Sequence, residues 1–319
     1  MPISESRSKR GIQLPVYSEV LRKPLPRPVV RGIRDTVRRY GVLTAGSRRF
    51  PDYLVIGTKK GGTTSLINWL VNHPSVSRMY PPAQKLKSAH YFDINYARGE
   101  GWYRSHFPSN RTRLALEQRT GAVTKVGEAS PYYMFHPAAP QRVAATLPDV
   151  KLIALLRDPV SRAYSNFWDR RATRTEDLTT FEAAIDAEEE RLATVDYDRL
   201  VNDPTYYSFH HDNHSYVARG RYLQHLQTWI DTFAQDQLLI LQAESMFTEP
   251  ERVFERVQRF IGLPVVGTIP LSTFNERRHA PMSESTRKRL ADYFRPHNAA
   301  LYSALGRDFG WEAEYPPDR

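Results

Sequence analysis

The sequence predicts an α/β fold: a P-loop-like central parallel sheet flanked by helices on both faces. Three observations lead there. Residues 53–72 read as an apolar, β-branched strand, a glycine-rich loop and a helix. Strand-like and helical segments then alternate along the chain, as a parallel sheet with crossover helices requires. At 319 residues and 40% hydrophobic content, the chain is long enough to bury one large α/β core.

Residues 1–50 read as a basic arm. They hold twelve Lys and Arg against Glu5, Glu19 and Asp35, which is +9 of the chain's net +10, so the remainder is almost neutral. Pro15, Pro24, Pro26 and Pro28 favour an extended segment. Val30, Ile33, Val37 and Tyr40 then recur at helical spacing between Arg31, Arg34, Arg38 and Arg39, which predicts a short amphipathic basic helix. Such a helix can dock with a solvated arginine face, hold an anionic substrate, or make peripheral contact with an anionic membrane.

A single domain is expected from 51 to 319. Its strands are "YLVIG" at 53, "KVGE" at 125, "KLIALLR" at 151 and "QLLILQ" at 237. "RYLQHLQTWIDTFA" places Tyr222, Leu226, Trp229, Ile230 and Phe233 on one helical face, and "PERVFERVQRFIGLP" opens on Pro250 and stops at Gly262. The stretch from about 170 to 215, charged and then rich in His, Asp, Asn and Tyr, reads as an insertion at the mouth of the sheet. Ligands of such sheets bind beyond the strand carboxyl ends, where the loops after Ile56, Glu128 and Leu156 converge.

Composition excludes several classes. With no cysteine there is no disulfide, thiolate metal site or cysteine nucleophile. No run of about 18 apolar residues exists to span a membrane, and no apolar stretch follows the charged N-terminus as a secretory signal needs. A cytoplasmic setting is therefore expected. A nucleic-acid partner is not, because the basic charge is confined to the arm.

"VIGTKKGGTTSL" resembles a phosphate loop, with Gly57 and Gly62 at Walker spacing, but Thr63 stands where a nucleotide kinase has lysine and the lysine has moved to Lys60. Backbone amides of the turn and the helix N-terminus suit an anion. The alternative is a tight turn that uses glycine only for packing. A second motif, "LLRDPVSRAYSNFWDRR", begins where the third strand ends: Arg157 leaves the strand tip, Pro159 opens a helix and Ser165 lies two turns along. An arginine fork engages a phosphate bidentately. Two separated phosphate sites imply a nucleotide with phosphates at both ends of its nucleoside.

These two stretches resemble the cofactor signatures of sulfotransferases that use 3′-phosphoadenosine 5′-phosphosulfate (PAPS). "KLKSAHYFDINYARGEGWYRSHFP", "VGEASPYYMFHP", "RGRYLQHLQTWIDTFAQDQLLIL" and "LADYFRPHNAALYSALGRDFGW" are similar, in this order, to the heparan-sulfate-type sulfotransferase domain and its bacterial relatives. The resemblance runs from about residue 51 to 311. It implies that Lys60, Gly61, Gly62, Thr63, Thr64 and Ser65 wrap the 5′-phosphosulfate, and that Arg157 and Ser165 hold the 3′-phosphate. "TFNERRHAPMS" resembles the family's late basic segment, which makes Arg277, Arg278 and His279 cofactor contacts; a helix start or solvated basic turn is the other reading.

In this reading PAPS is the donor, PAP the product, and no metal is required. Charge grows on the departing 5′-phosphate, and Lys60 is assigned to stabilise or protonate the bridging oxygen. The acceptor is a hydroxyl, or less readily an amine, of a carbohydrate, glycolipid or small metabolite. Its proton needs a base, and here the chain departs from its relatives: the heparan enzymes carry a glutamate where "KSAHYFD" has Ser88. His90 is the first candidate base and Glu128 the second; Ser88 and Glu128 are also candidates for substrate contact. The competing readings are a P-loop kinase or NTPase, and a non-catalytic nucleotide- or nucleic-acid-binding protein.

Overall fold

Three short segments rich in Leu, Ile and Val, with a fourth short strand of Gly127, Glu128 and Ala129, form the sheet, and the intervening amphipathic segments cover it. A computed structural model of the chain describes residues 27–267 and 280–314. In chain order the elements begin with helix α1 (Arg27–Leu43), strand β1 (Tyr53–Gly57), α2 (Thr63–Asn72), α3 (Gly99–Arg104) and α4 (Asn110–Thr120). Then come β2 (Gly127–Ala129), α5 (Ala139–Thr146), β3 (Lys151–Leu156) and α6 (Pro159–Ala172). Four short helices follow: α7 (Phe181–Asp186), α8 (Glu188–Ala193), α9 (Tyr197–Asn202) and α10 (Phe209–Asn213). The last are α11 (Tyr222–Thr232), β4 (Leu238–Gln242), α12 (Ser245–Thr248), α13 (Pro250–Phe260) and α14 (Glu284–Leu305).

All strands are parallel in the order β2-β1-β3-β4, with Leu54 paired to Glu128 and to Leu152. Side chains alternate across this sheet as period two demands. Leu54, Ile56, Leu152, Ala154 and Leu156 join one core cluster, with Leu226 and Trp229 of α11 and Leu301 of α14. Tyr53, Val55, Ile153 and Leu155 join the other, with Leu66 and Leu70 of α2 and Phe254 and Val257 of α13. Each such fully buried side chain contributes roughly 1.5–3 kcal/mol, so the strand ends form a rigid platform.

The four predicted strands and both predicted body helices are present, and the predicted N-terminal helix corresponds to α1. The proline-containing stretch before α1 lies outside the described residues. Within the body, Ala45 and Arg48 are already buried, and the Arg48 guanidinium donates to the Phe107 carbonyl at 2.5 Å. Among the described residues no helix is long and apolar enough to cross a membrane.

The 170–215 stretch folds on two buried glutamates. Glu188 accepts the amides of Tyr216, Val217 and Ala218 at 2.7–2.9 Å. Glu176 accepts Arg191 at 2.7 and 3.0 Å and the Tyr216 hydroxyl at 2.7 Å. Burial alone would raise its pKa, but these donors hold it down at about 2. The stretch is thus a braced element, and it carries Asp212 to the site.

Candidate active site

The loop between β1 and α2 is shaped by close approach and by left-handed backbone. A Cβ on Gly61 would meet the Leu155 carbonyl at 2.7 Å and Thr58 Cγ2 at 2.9 Å, so only glycine lets the turn lie against β3. Gly62, the N-cap of α2, has φ +91°, a conformation that costs other residues about 1–2 kcal/mol. The first amide to bond back is Ser65, to the Gly62 carbonyl at 2.9 Å. The amides of Thr63 and Thr64 belong to the turn that has no intrahelical acceptor, and the α2 dipole adds positive charge there.

Lys60 is itself left-handed, at φ +68°. Two elements hold it: Arg157, at the end of β3, donates to its carbonyl at 3.1 Å, and its Nζ lies 3.1 Å from Asp169 of α6. Strained non-glycine backbone persists where the surroundings over-determine it, as at functional sites. Ser165 is half-buried on α6, two turns beyond Asp158, the residue that caps the helix by accepting the amides of Val160 and Ser161. Arg277, Arg278 and His279 lie outside the described residues.

Lys59, adjacent in sequence, has a different fate. Its Nζ donates to the Asp212 carboxylate at 2.5 Å and the Asp212 carbonyl at 2.8 Å, and lies 5.4 Å from the Tyr132 ring centre. Burial, then the nearby Arg219 charge, pulls its pKa to about 7 although Asp212 opposes them. Asp212 remains ionised: burial would raise its pKa, but the charges of Lys59 and Arg219 outweigh that and lower it. Sequence reading missed this pair. Nothing local linked Lys59 to an aspartate 153 residues away.

The "KSAHYFD" segment is fastened to β2 through Glu128. That carboxylate is fully buried and accepts four donors: the Ala89 amide at 2.5 Å, Tyr103 at 2.7 Å, Tyr133 at 2.9 Å and Ser130 at 3.0 Å. Burial raises its pKa, against the pull of these donors. With its lone-pair sites taken and no exposed surface, Glu128 is placed to anchor this loop. That environment favours anchoring over the base or substrate role expected for it from sequence. Ser88 shares a short hydrogen bond with Ser130 and accepts the His90 amide at 3.1 Å, so it too is engaged in shaping the loop.

His90 is left free to react. Its backbone is left-handed, at φ +48°, and its side chain is 37% exposed, so the ring reaches solvent. Nδ1 pairs with Asp93 at 2.8 Å, and Nε2 has no partner among the described residues. Burial pulls the pKa down, but the Asp93 hydrogen bond and the charges of Asp93, Glu128 and Asp212 outweigh it and leave it raised. A carboxylate on one ring nitrogen fixes the tautomer and readies the other for proton transfer. Asp93 was missed in sequence although it closes the same heptapeptide, because its partner depends on the turn at His90.

The site therefore combines a glycine loop aimed at an anion, two lysines with separate carboxylate partners, and an aspartate-held histidine. Comparison with known proteins specifies the class. The Sulfotransferase domain family matches residues 50–305. Human heparan sulfate glucosamine 3-O-sulfotransferase 6 is 31% identical over 83% of this chain and 75% of its own length. The mouse 3A1 enzyme of the same name series is 30% identical over 85% of this chain and 67% of its own. The chain spans about two-thirds to three-quarters of the length of these 3-O-sulfotransferase relatives. The crystal structure of a sulfotransferase from Alicyclobacillus acidocaldarius superimposes with a TM-score of 0.62 at 25% identity, covering 83% of this chain and 99% of that one.

The protein is a group-transfer enzyme of α/β architecture. It belongs to the sulfotransferase domain family and is a sulfotransferase. The kinase and binding-only readings find no support: Thr63, not lysine, follows Gly62.

Proposed function

We propose that this enzyme moves a sulfuryl group from PAPS to a hydroxyl of a carbohydrate or glycolipid. The observation that carries the reading is the His90–Asp93 pair, with Nε2 open, in a site that also holds the braced Lys60 loop. In this reading Lys60 and the open amides of Gly62, Thr63 and Thr64 meet the 5′-phosphosulfate, Gly61 and Ser65 shape the loop around it with their amides turned inward, Arg157 and Ser165 hold the 3′-phosphate, and Arg277, Arg278 and His279, which lie outside the described residues, are further contacts by resemblance alone. When bound, PAPS supplies the sulfuryl group and a phosphate leaving group.

His90 Nε2 takes the acceptor hydroxyl proton as the new sulfur–oxygen bond forms, and Asp93 holds the resulting imidazolium. Lys60 moves from Asp169 to the oxygen whose bond to sulfur breaks, where negative charge develops. Both roles act only as the transition state forms, so both appear in kcat. Ser88 in place of the relatives' glutamate argues against heparan itself as the acceptor. The domain begins near residue 41 in this reading, since Ala45 and Arg48 are built into the body, and the basic segment before it is an arm for anionic surfaces. Transfer of radiolabelled sulfur from PAPS to a panel of neutral and acidic glycans tests the assignment, and absence of transfer to every member refutes the carbohydrate acceptor.

A further inference from the structure

A cavity of about 260 Å³ lies between α11, the segment after β2 and the 170–215 stretch. It exceeds the ~150 Å³ space that holds a benzene, so it admits a group of sugar-ring size. Among the described residues no Asp or Glu lines it, while Arg221, Gln224 and three imidazoles do: His136, His211 and His225. Each imidazole spends one ring nitrogen on the protein. His136 Nδ1 accepts the Ala138 amide at 3.3 Å, which leaves Nε2 as a donor. His211 Nδ1 meets the Tyr132 hydroxyl at 2.7 Å, and His225 Nε2 donates to the Ala218 carbonyl at 2.9 Å.

Phe135 fixes the rings, stacking on His211 at 4.3 Å and meeting His225 edge-on at 4.6 Å. The guanidinium of Arg221 makes no ion pair or hydrogen bond among the described residues, and its Nε is buried without a partner. This half-buried cation therefore has a buried donor, Nε, that a ligand acceptor in the cavity would satisfy. Burial, followed for His136 by Arg142 and opposed for His225 only by the Ala218 carbonyl, holds both imidazoles at about 4, so the rings are neutral donors and acceptors around one cation.

We propose that this cavity is a binding subsite for an acidic group of sugar size, a carboxylate or sulfate held by Arg221 and His136 with the ring packed against the remaining imidazoles. It is linked to the phosphate loop through Tyr132, which bonds the lining residue His211 and whose ring centre lies 5.4 Å from Lys59 Nζ. The ligand is either part of the acceptor or a free acid, and the two share one chemistry.

The test needs no catalysis, so it stands whatever the transferred group proves to be. The full chain, saturated with PAP to occupy the phosphate loop, is titrated with glucuronate, and with glucose as the neutral control. Calorimetry gives affinity, and ring-nitrogen NMR reports His136 and His225. The expected result is shifts at both rings, binding at least about 10-fold tighter for glucuronate than glucose, and a similar loss in Arg221→Gln and in the milder Gln224→Ala, each with unchanged Tm and PAP affinity. Equal binding of the two sugars, silent histidines, or an unaltered affinity in a folded Arg221→Gln overturns the proposal. If Arg221→Gln lowers kcat/KM for uronic-acid acceptors alone, the acid belongs to the acceptor. If kcat/KM is unmoved while glucuronate affinity falls, it is a free anion.

Discussion

In the proposed reading, the donor half and the acceptor half of this site are built from different materials. The phosphate loop is backbone: Gly61 against β3, Gly62 as left-handed cap and the open amides of α2. The acceptor half is side chain, with His90 on Asp93, Ser88 on Ser130, and Glu128 beneath four donors. A backbone site tolerates substitution of side chains around it, whereas a side-chain site depends on each member. The difference sets the order of the expected effects.

The largest belongs to Lys60, the side chain of the phosphate loop assigned to the chemistry. Lys60→Ala should lower turnover by on the order of 10²-fold or more, while PAP affinity changes little, because the amides remain. Equal losses in both would mean that Lys60 only binds. On the acceptor half, His90→Ala should cost about 10²-fold in kcat. A histidine base works when neutral, so the rate falls as pH drops through its raised pKa, which places the acid limb above the ordinary ~6.5. Asp93→Asn removes the largest upward influence, leaves burial to dominate and should move that limb to lower pH, with about a tenfold loss. A pH–rate profile that does not move would remove Asp93 from the dyad.

Smaller effects separate anchoring from chemistry. Glu128→Gln replaces an acceptor of four donors with a group that must itself donate, and should destabilise the fold by about 2–3 kcal/mol, read as a lowered denaturant midpoint. If stability holds and kcat falls instead, Glu128 takes part in proton transfer after all. The smallest effect is expected from deleting residues 1–40: PAP affinity and Tm unchanged, with weaker binding to anionic vesicles at low salt. A deletion reaching residue 50 should be worse, since it removes buried Arg48.

The same contrast explains what was legible in the sequence. The sheet could be read because three of its four strands are local apolar runs, and the phosphate loop because Gly61, Gly62 and Lys60 are consecutive with the helix that they open. Asp212 could not, because it reaches Lys59 only once Glu176 and Glu188 have folded the 170–215 stretch. Glu128 was noticed for being at a strand tip, a position equally suited to catalysis and to anchoring. What decides between them is the closure of Tyr103, Tyr133 and Ala89 over it, a tertiary fact. His90 was found through its sequence neighbours, but its elevated pKa depends on Asp93, Glu128 and Asp212 together.

The central claim is sulfuryl transfer from PAPS without a metal, with Lys60 at the leaving oxygen. Its most direct test is a single-turnover assay of ³⁵S-labelled PAPS with a glycan acceptor in excess chelator, comparing wild type with Lys60→Ala at matched nucleotide occupancy. The account predicts label on the glycan in wild type, undiminished by chelator, and a transfer step slowed on the order of 10²-fold or more in the variant. Transfer that vanishes in chelator and returns with Mg²⁺, or a variant that transfers at the wild-type rate, would contradict it.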